Sequence, residues 1–328
     1  MISIFKALNP FNILWLAIVL LLTRVGYLLN LPSKIDFAFA EPLSRLLLPA
    51  SFEYAISPLE NILLVCLIVF IQALLLNYLV NHFNLLGKPT FLPALMYITL
   101  SGLFKPFLVL STPLLCNFLA IWMLYKLFSF YKNKDAKSEA FDMGMIVAIG
   151  SIFYLPFIFL FLLIWIALFI FRPFNWREMI AAVIGYITIF FFLAVYYFLN
   201  DNLNQFYNIW IPLTAKFPIN IQINYLNYVV LIPVIIILVL GLVKLQQNFL
   251  KSYVQVRKSF QLLFVFFLVA LLAFYVETPF HLTHFLLCVV PAAIFFSYYF
   301  LLARVRWFYE TLFFLLLICM IWFQFNNF

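Results

Sequence analysis

Residues 61–80, NILLVCLIVFIQALLLNYLV, decide the class of this protein. The stretch contains no charged residue, and its only amide side chains are Asn61, Gln72 and Asn77. At about 1.5 Å of rise per residue, such a helix extends about 30 Å, which is the thickness of a bilayer's hydrocarbon core. Comparable apolar runs follow and precede it along the chain. We therefore predict an all-α polytopic integral membrane protein.

The composition of the 328 residues supports this class and excludes others. Hydrophobic residues make up 68% and charged residues 9%, whereas a soluble domain has about 25% charged residues. So little charge cannot cover a water-soluble globule, which excludes a soluble enzyme and a disordered chain. The net charge of +8 fits basic cytoplasmic loops rather than nucleic-acid binding, since no basic stripe stands outside the membrane-flanking loops. The lipid bilayer is the expected partner.

The run 142–171 is too long for one upright span. Pro156 lies near its middle, and proline interrupts a helix because it lacks the backbone N–H. Basic residues flank both ends of the run, and both flanks read as cytoplasmic under the positive-inside rule. We therefore predict a hairpin of two short helices. The chain then has about 11 transmembrane segments: 11–30, 61–80, 91–104, 107–128, 142–155, 157–171, 179–199, 225–243, 260–276, 284–302 and 308–325.

The distribution of charge predicts the orientation. With the N-terminus cytoplasmic and the C-terminus periplasmic, fourteen of the 19 Lys and Arg residues lie inside, as the positive-inside rule requires. Residues 1–328 form a single transmembrane domain with outer loops at 31–60 and 200–224. The cytoplasmic loops are 129–141 and 244–259, and we expect the second to lie as an amphipathic helix on the inner surface.

Two groups of polar residues at the outer surface are candidates for catalysis. Asp36 and Glu41 lie in the first outer loop, where a carboxylate can act as a general base or hold a divalent cation. Glu277, His281 and His284 lie in a short outer turn, and an acid with two imidazoles can bind a metal or relay a proton. Ordinary hydrated or interfacial side chains are the alternative for every one of these residues.

Basic side chains near the outer surface are candidates for substrate binding. Arg24 lies near the outer end of the first segment, and Arg45 and Lys216 lie in the two outer loops. Each can hold a phosphate group. Each can also simply extend to the lipid headgroups. Lys105, at the outer end of the third segment, has the same two interpretations.

The layout resembles the polytopic glycosyltransferases of the GT-C class. A first span precedes a long outer loop with Asp36 and Glu41, and residues 140–172, AFDMGMIVAIGSIFYLPFIFLFLLIWIALFIFR, are similar to a glycine-containing helix followed by a proline-interrupted one. The resemblance implies a GT-C-like arrangement and a transferase that uses polyprenyl-phosphate-linked sugars. The composition of the chain, rich in Phe, Ile, Asn and Lys with few Gly, also resembles that of proteins from low-GC bacteria. The implied location is the outer face of a bacterial inner membrane.

Two other functions fit the same sequence. A non-enzymatic scaffold or accessory subunit of an envelope assembly or secretion complex would explain why nearly all charges lie at the ends of spans, because enzymes and pumps usually carry ionisable groups within them. A transporter or lipid flippase would need a polar cavity. Its candidate lining within the spans is sparse: Asn12, Gln72, Asn77 and Asn117. The seven glycines and the lack of a GxxxG pair argue against tightly packed, rocking helices.

Overall fold

A computed structural model describes residues 1–31, 57–131, 136–214, 229–276 and 281–325. Within these ranges the chain is helical and contains no β-strand. Short 3₁₀ turns extend or join several of the helices. The α-helices are α1 (Ile2–Phe5), α2 (Asn12–Leu22), α3 (Val25–Leu29), α4 (Pro58–His82), α5 (Leu92–Leu100), α6 (Thr112–Ser129), α7 (Lys137–Phe153), α8 (Phe161–Phe171), α9 (Trp176–Leu199), α10 (Leu203–Asn208), α11 (Leu231–Asn248), α12 (Val254–Leu272), α13 (Leu286–Leu302) and α14 (Arg306–Phe325).

Seven helical segments in the described ranges are long and apolar enough to cross a membrane. They are α4, α6, α9, α12 and α14, together with α11 and α13 extended by adjoining 3₁₀ turns. The first residues of α4 show how such a span begins. The Ser57 hydroxyl accepts from the Glu60 N–H, and the Glu60 carboxylate accepts from the Ser57 N–H at 2.8 Å. This reciprocal capping satisfies two donors that would otherwise lack partners at the helix start.

Helices α13 and α5 form the centre of the bundle. Every residue from Leu286 to Phe300 in α13 is buried, and so are all nine residues of α5. Nine helical residues extend only about 14 Å, so α5 alone is too short to cross a bilayer. Helices α4, α13 and α2 pack around it. A short helix of this kind is tolerated at membrane depth because protein surrounds it.

The predicted break within 142–171 is confirmed. Helix α7 ends at Phe153, a 3₁₀ turn covers Leu155–Leu160, and α8 begins at Phe161. Pro156 is in the first turn of the 3₁₀ segment, where its missing N–H leaves no helical hydrogen bond unmade. The start of the first helix differs from the prediction, because α7 already begins at Lys137.

Helices α7 and α9 cross with their backbones in contact at two glycines. A Cβ on Gly144 would overlap the carbonyl oxygen of Ala182, and a Cβ on Gly185 would overlap that of Phe141. The two glycines lie on different helices, so the sequence shows no GxxxG pair within one helix at this contact. Close approach of this kind is how helices associate in lipid, where the hydrophobic effect between spans is weak.

The predicted amphipathic surface helix at 244–259 is wrong. Helix α11 continues to Asn248, a 3₁₀ turn covers Phe249–Lys251, and α12 begins at Val254. The segment is therefore the end of one long helix, a turn and the start of the next. Leu250 and Tyr253 in this turn are 85% and 80% exposed. The polar residues of the segment belong to helix ends, so their spacing imitates an amphipathic helix.

Candidate functional site: an apolar groove with a basic rim

An apolar groove of about 350 Å³ lies beside the central helix α13. Its floor is formed by Cys288, Val289 and Ala292 of α13, and one wall is the segment that follows α5. The first turns of α11 and the last turn of α12 form its sides. Ile235 and Leu271, on these two sides, are 55% and 38% exposed. The groove therefore opens sideways, between two helices whose outer faces are themselves apolar.

The groove is lined almost entirely by carbon. Ten of its sixteen lining residues are leucine, isoleucine, valine or alanine. A lining with so few polar groups suits an aliphatic or isoprenoid chain, because every lining atom can make dispersion contacts and none needs a hydrogen-bond partner. Five phenylalanines complete the lining: Phe104, Phe107, Phe267, Phe274 and Phe285.

Two 3₁₀ turns at one end of the groove carry basic side chains, and we call this end the basic rim. The 3₁₀ turns Lys105–Leu108 and Leu282–Phe285 contact each other there. Lys105 lies between the groove residues Phe104 and Phe107 and is partly exposed, and partial burial lowers the pKa of its ammonium group. His281, at the start of the second turn, is also partly exposed. A cation thus borders an apolar groove, which is an arrangement suited to an anionic group attached to an apolar chain.

His284 lies behind this rim and is fully buried. Its Nε2–H donates to the carbonyl oxygen of Ala270 at 2.7 Å, and the Tyr154 hydroxyl donates to its Nδ1 at 2.5 Å. A neutral imidazole protonated at Nε2 makes both contacts. They tie the 3₁₀ turn that precedes α13 to α12 and to Tyr154, the residue after α7. The catalytic role of His284 stays a prediction, and its contacts are those of a packing residue. Among the described residues, no group of three or more metal-ligating side chains lies together.

Arg24 does not extend to the lipid headgroups, because its side chain is completely buried. Its Nη1 donates to the Leu20 carbonyl oxygen and to the Thr23 hydroxyl, both at 3.3 Å, and its Nη2 donates to the Ser101 hydroxyl at 3.4 Å. Among the residues that the structure describes, none of its partners is a carboxylate. The sequence placed Arg24 near the end of a single 20-residue span, but α2 ends at Leu22 and leaves Arg24 within the protein.

A buried polar network links four core helices, α4, α5, α6 and α13. Tyr97 donates to Gln72 Oε1 at 2.7 Å, and Asn117 donates to the Tyr97 oxygen at 3.1 Å. Gln72 also donates to the Leu114 carbonyl oxygen at 2.7 Å, and Asn117 to that of Leu286 at 3.0 Å. The sequence presented Gln72 and Asn117 as isolated polar residues. Tyr97 joins them, and nothing in its sequence context indicated that role.

The remaining predicted site residues cannot be compared with this geometry. They lie outside the residues that the structure describes, and their assignments stay predictions. They are the proposed catalytic residues Asp36, Glu41 and Glu277 and the proposed phosphate-binding residues Arg45 and Lys216.

The comparisons with known proteins show one relationship. Residues 43–328 match the model of a family described as "Family of unknown function (DUF6427)". The match covers most of the chain, so the protein belongs to this family. None of the curated proteins and none of the solved structures matches the chain.

Proposed function

We propose that this member of the DUF6427 family binds a polyprenyl-phosphate-linked glycan at the apolar groove, as a GT-C-like glycosyltransferase or a relative of one. The observation that carries the proposal is the combination of the groove with Lys105 at its rim. A lipid-linked sugar needs both features at once. Its chain requires apolar contact, and its phosphate requires a cation.

The dimensions and position of the groove support a lipid chain as its occupant. A volume of about 350 Å³ falls within the range of about 300–1,000 Å³ that is usual for ligand pockets. Helices α11 and α12 are both candidate membrane spans, so in the proposed topology the opening between them faces the surrounding lipid. A membrane lipid can enter there without leaving the apolar phase.

The chemistry of transfer would take place beyond the rim. In the proposed reaction a carboxylate, with Asp36 or Glu41 as the candidates, removes a proton from the acceptor hydroxyl. The hydroxyl oxygen then attacks the anomeric carbon of the sugar, whose bond to the polyprenyl phosphate breaks. Lys105 would stabilise the departing phosphate, because an ammonium is a good partner for phosphate oxygens. A divalent cation held by these carboxylates is part of the same proposal.

We also propose eleven membrane segments, with the N-terminus cytoplasmic and the C-terminus periplasmic. The contacts support this topology because they join segment ends that the proposal assigns to the same side. On the cytoplasmic side the Met1 amine pairs with Glu310 at 2.8 Å, and Lys126 pairs with Asp142 at 2.9 Å. The backbone N–H of Phe91 likewise donates to a carbonyl oxygen near the N-terminus.

Contacts on the proposed periplasmic side are equally consistent. Gln324 donates to the Thr23 carbonyl oxygen at 2.7 Å, which joins the ends of the first and last segments. The Leu110 N–H donates to Asn61 at 3.1 Å. The hydrogen bond between Tyr154 and His284 joins two further ends that the topology assigns to this side. A bacterial inner membrane is the proposed location.

Lipid binding to the full-length protein in nanodiscs tests the function. Polyprenyl phosphate and the uncharged polyprenol would be compared by native mass spectrometry. Ile235→Trp narrows the groove, while Ile236→Trp makes the same change on a neighbouring residue that does not line it. We expect the first change to reduce the binding of both lipids and the second to leave it unaltered. Lys105→Gln should weaken the binding of polyprenyl phosphate and leave the binding of polyprenol unchanged.

Two results would reject the proposal. If the native protein and Lys105→Gln bind both lipids equally well, Lys105 does not bind the phosphate. If the two tryptophan substitutions have equal effects, the lipid chain does not bind in the groove. The accessory-subunit hypothesis predicts stable co-purification with an envelope protein instead. A transporter or flippase would move the lipid between leaflets, which a fluorescent-lipid assay in vesicles measures.

A further inference from the structure

We infer that Arg24 is a positioning residue that fixes one wall of the groove from behind. The inference rests on the groove of the proposed function, although its test needs no lipid ligand. Arg24 does not line the groove. It acts through the short segment 100–104, which has the groove on one side and Arg24 on the other.

The two sides of this segment carry different residues. Leu100, Leu103 and Phe104 line the groove. Ser101 lies between them and accepts from the Arg24 guanidinium, while the Gly102 carbonyl oxygen accepts from Gln324 Nε2 at 3.3 Å. The wall follows the end of α5 and is not helical before Lys105. Its first residues still bond to the last turn of α5, from Ser101 N–H to Tyr97 and from Gly102 N–H to Thr99, and the groups behind it add the bonds that join it to α2 and α14.

Electrostatics explain why the group behind the wall is a cation. Two helices end beside it, since α2 ends at Leu22 and α5 at Leu100. The C-terminus of a helix carries about half a negative charge from its unpaired carbonyl groups. One guanidinium offsets the charge of these two ends, which would otherwise repel each other in an apolar interior.

Hydrogen bonds tie these two helix ends to each other and to α14. Arg24 donates to the Leu20 carbonyl oxygen near the end of α2 and to Ser101 beyond the end of α5. Gln324 of α14 donates to the Thr23 carbonyl oxygen at 2.7 Å as well as to Gly102. Without the cation, the wall loses its hydrogen bond to α2 and keeps only the bond from Gln324 and its own bonds to the last turn of α5. We expect water to enter the groove as a result.

Thiol labelling of the full-length protein tests this role. Cys288 lies in the floor of the groove, whereas Cys116 is buried elsewhere, with its thiol against the Gly150 carbonyl oxygen. In detergent micelles, N-ethylmaleimide should modify Cys288 about tenfold faster in Arg24→Met than in the native protein, because hydration favours the reactive thiolate. The rate at Cys116 should not change. Modified peptides are quantified by mass spectrometry.

Two further variants make the result decisive. Arg24→Lys keeps the charge, so it is the variant to measure if Arg24→Met does not fold. It should raise the rate of Cys288 modification by a smaller factor. Arg257→Met removes an arginine that lies over the Phe249 ring, and it should leave both rates unchanged. Equal acceleration of both cysteines by the Arg24 variants would show general unfolding, and unchanged rates would show no role in the wall. Either result would overturn the inference without bearing on lipid binding.

Discussion

Replacement of Gly144 by alanine should force α7 and α9 apart. The added Cβ would overlap the carbonyl oxygen of Ala182 and lie 2.9 Å from the backbone nitrogen of Tyr186. Both are backbone atoms of a helix, so no side-chain rotation can relieve the overlap. The reciprocal contact at Gly185 means that the two helices meet at a crossing with no spare space.

The size of the effect follows from two opposing contributions. Overpacking a well-packed interior costs about 1–3 kcal/mol, and a rigid backbone partner places this site near about 3 kcal/mol. Alanine in place of glycine within a helix recovers about 1 kcal/mol of conformational free energy. The expected net loss of folding free energy is about 2 kcal/mol, or a factor of about 30 in the folding equilibrium.

Unfolding of the purified protein in mixed micelles, followed by tryptophan fluorescence, measures this loss. Gly241→Ala is the matched control, because its Cβ would find the Phe295 carbonyl oxygen at 3.1 Å and other atoms at ordinary distances. We expect the control to be close to neutral. A Gly144→Ala protein as stable as the Gly241→Ala protein would refute the reasoning from the crossing.

Three further outcomes follow from the described contacts. Tyr154→Phe leaves His284 Nδ1 without a donor and should cost about 1–3 kcal/mol of stability; an unchanged unfolding midpoint would contradict this. Gln72→Leu and Tyr97→Phe should together cost less than the sum of the single changes, because each alone leaves the other partner unpaired, and a double-mutant cycle measures the difference. Because burial lowers the pKa of Lys105, its ammonium is lost earlier as pH rises. As pH rises, binding of polyprenyl phosphate should therefore begin to weaken at a lower pH than the one at which an ordinary lysine loses its charge. The Lys105→Arg protein should still bind in that pH range.

The parts of the fold that the sequence predicted are those set by local chemistry. The break before Pro156 follows from a missing N–H, and the long apolar runs follow from the thickness of a bilayer. The predicted helix at 244–259 failed because polar residues at two helix ends have the same spacing as one amphipathic helix. The expectation that Arg24 extends to the lipid headgroups failed because the apolar run did not indicate that α2 stops at Leu22, while its phosphate-binding role stays a prediction.

For the candidate site too, the sequence predicted individual residues but not how they are arranged in space. The sequence predicted that Lys105 and His281 lie at the outer surface, but it did not indicate the groove beside them. Its walls come from α5, α11, α12 and α13, which lie as much as 190 residues apart in the chain. Apolar side chains that line a groove look the same in sequence as those that face lipid or fill the core.

The sequence by itself determined that this chain is helical and belongs in a membrane, because apolar content and run length act through the solvent that surrounds each segment. The tertiary structure decided which polar groups meet. Gln72, Tyr97 and Asn117 are separate in sequence and joined in space, and Arg24 joins the end of α2 to the segment after α5, which only the packing brings together. The reason is physical: burial depends on composition along the chain, whereas hydrogen bonds and charge compensation depend on distances of about 3 Å between residues far apart in sequence.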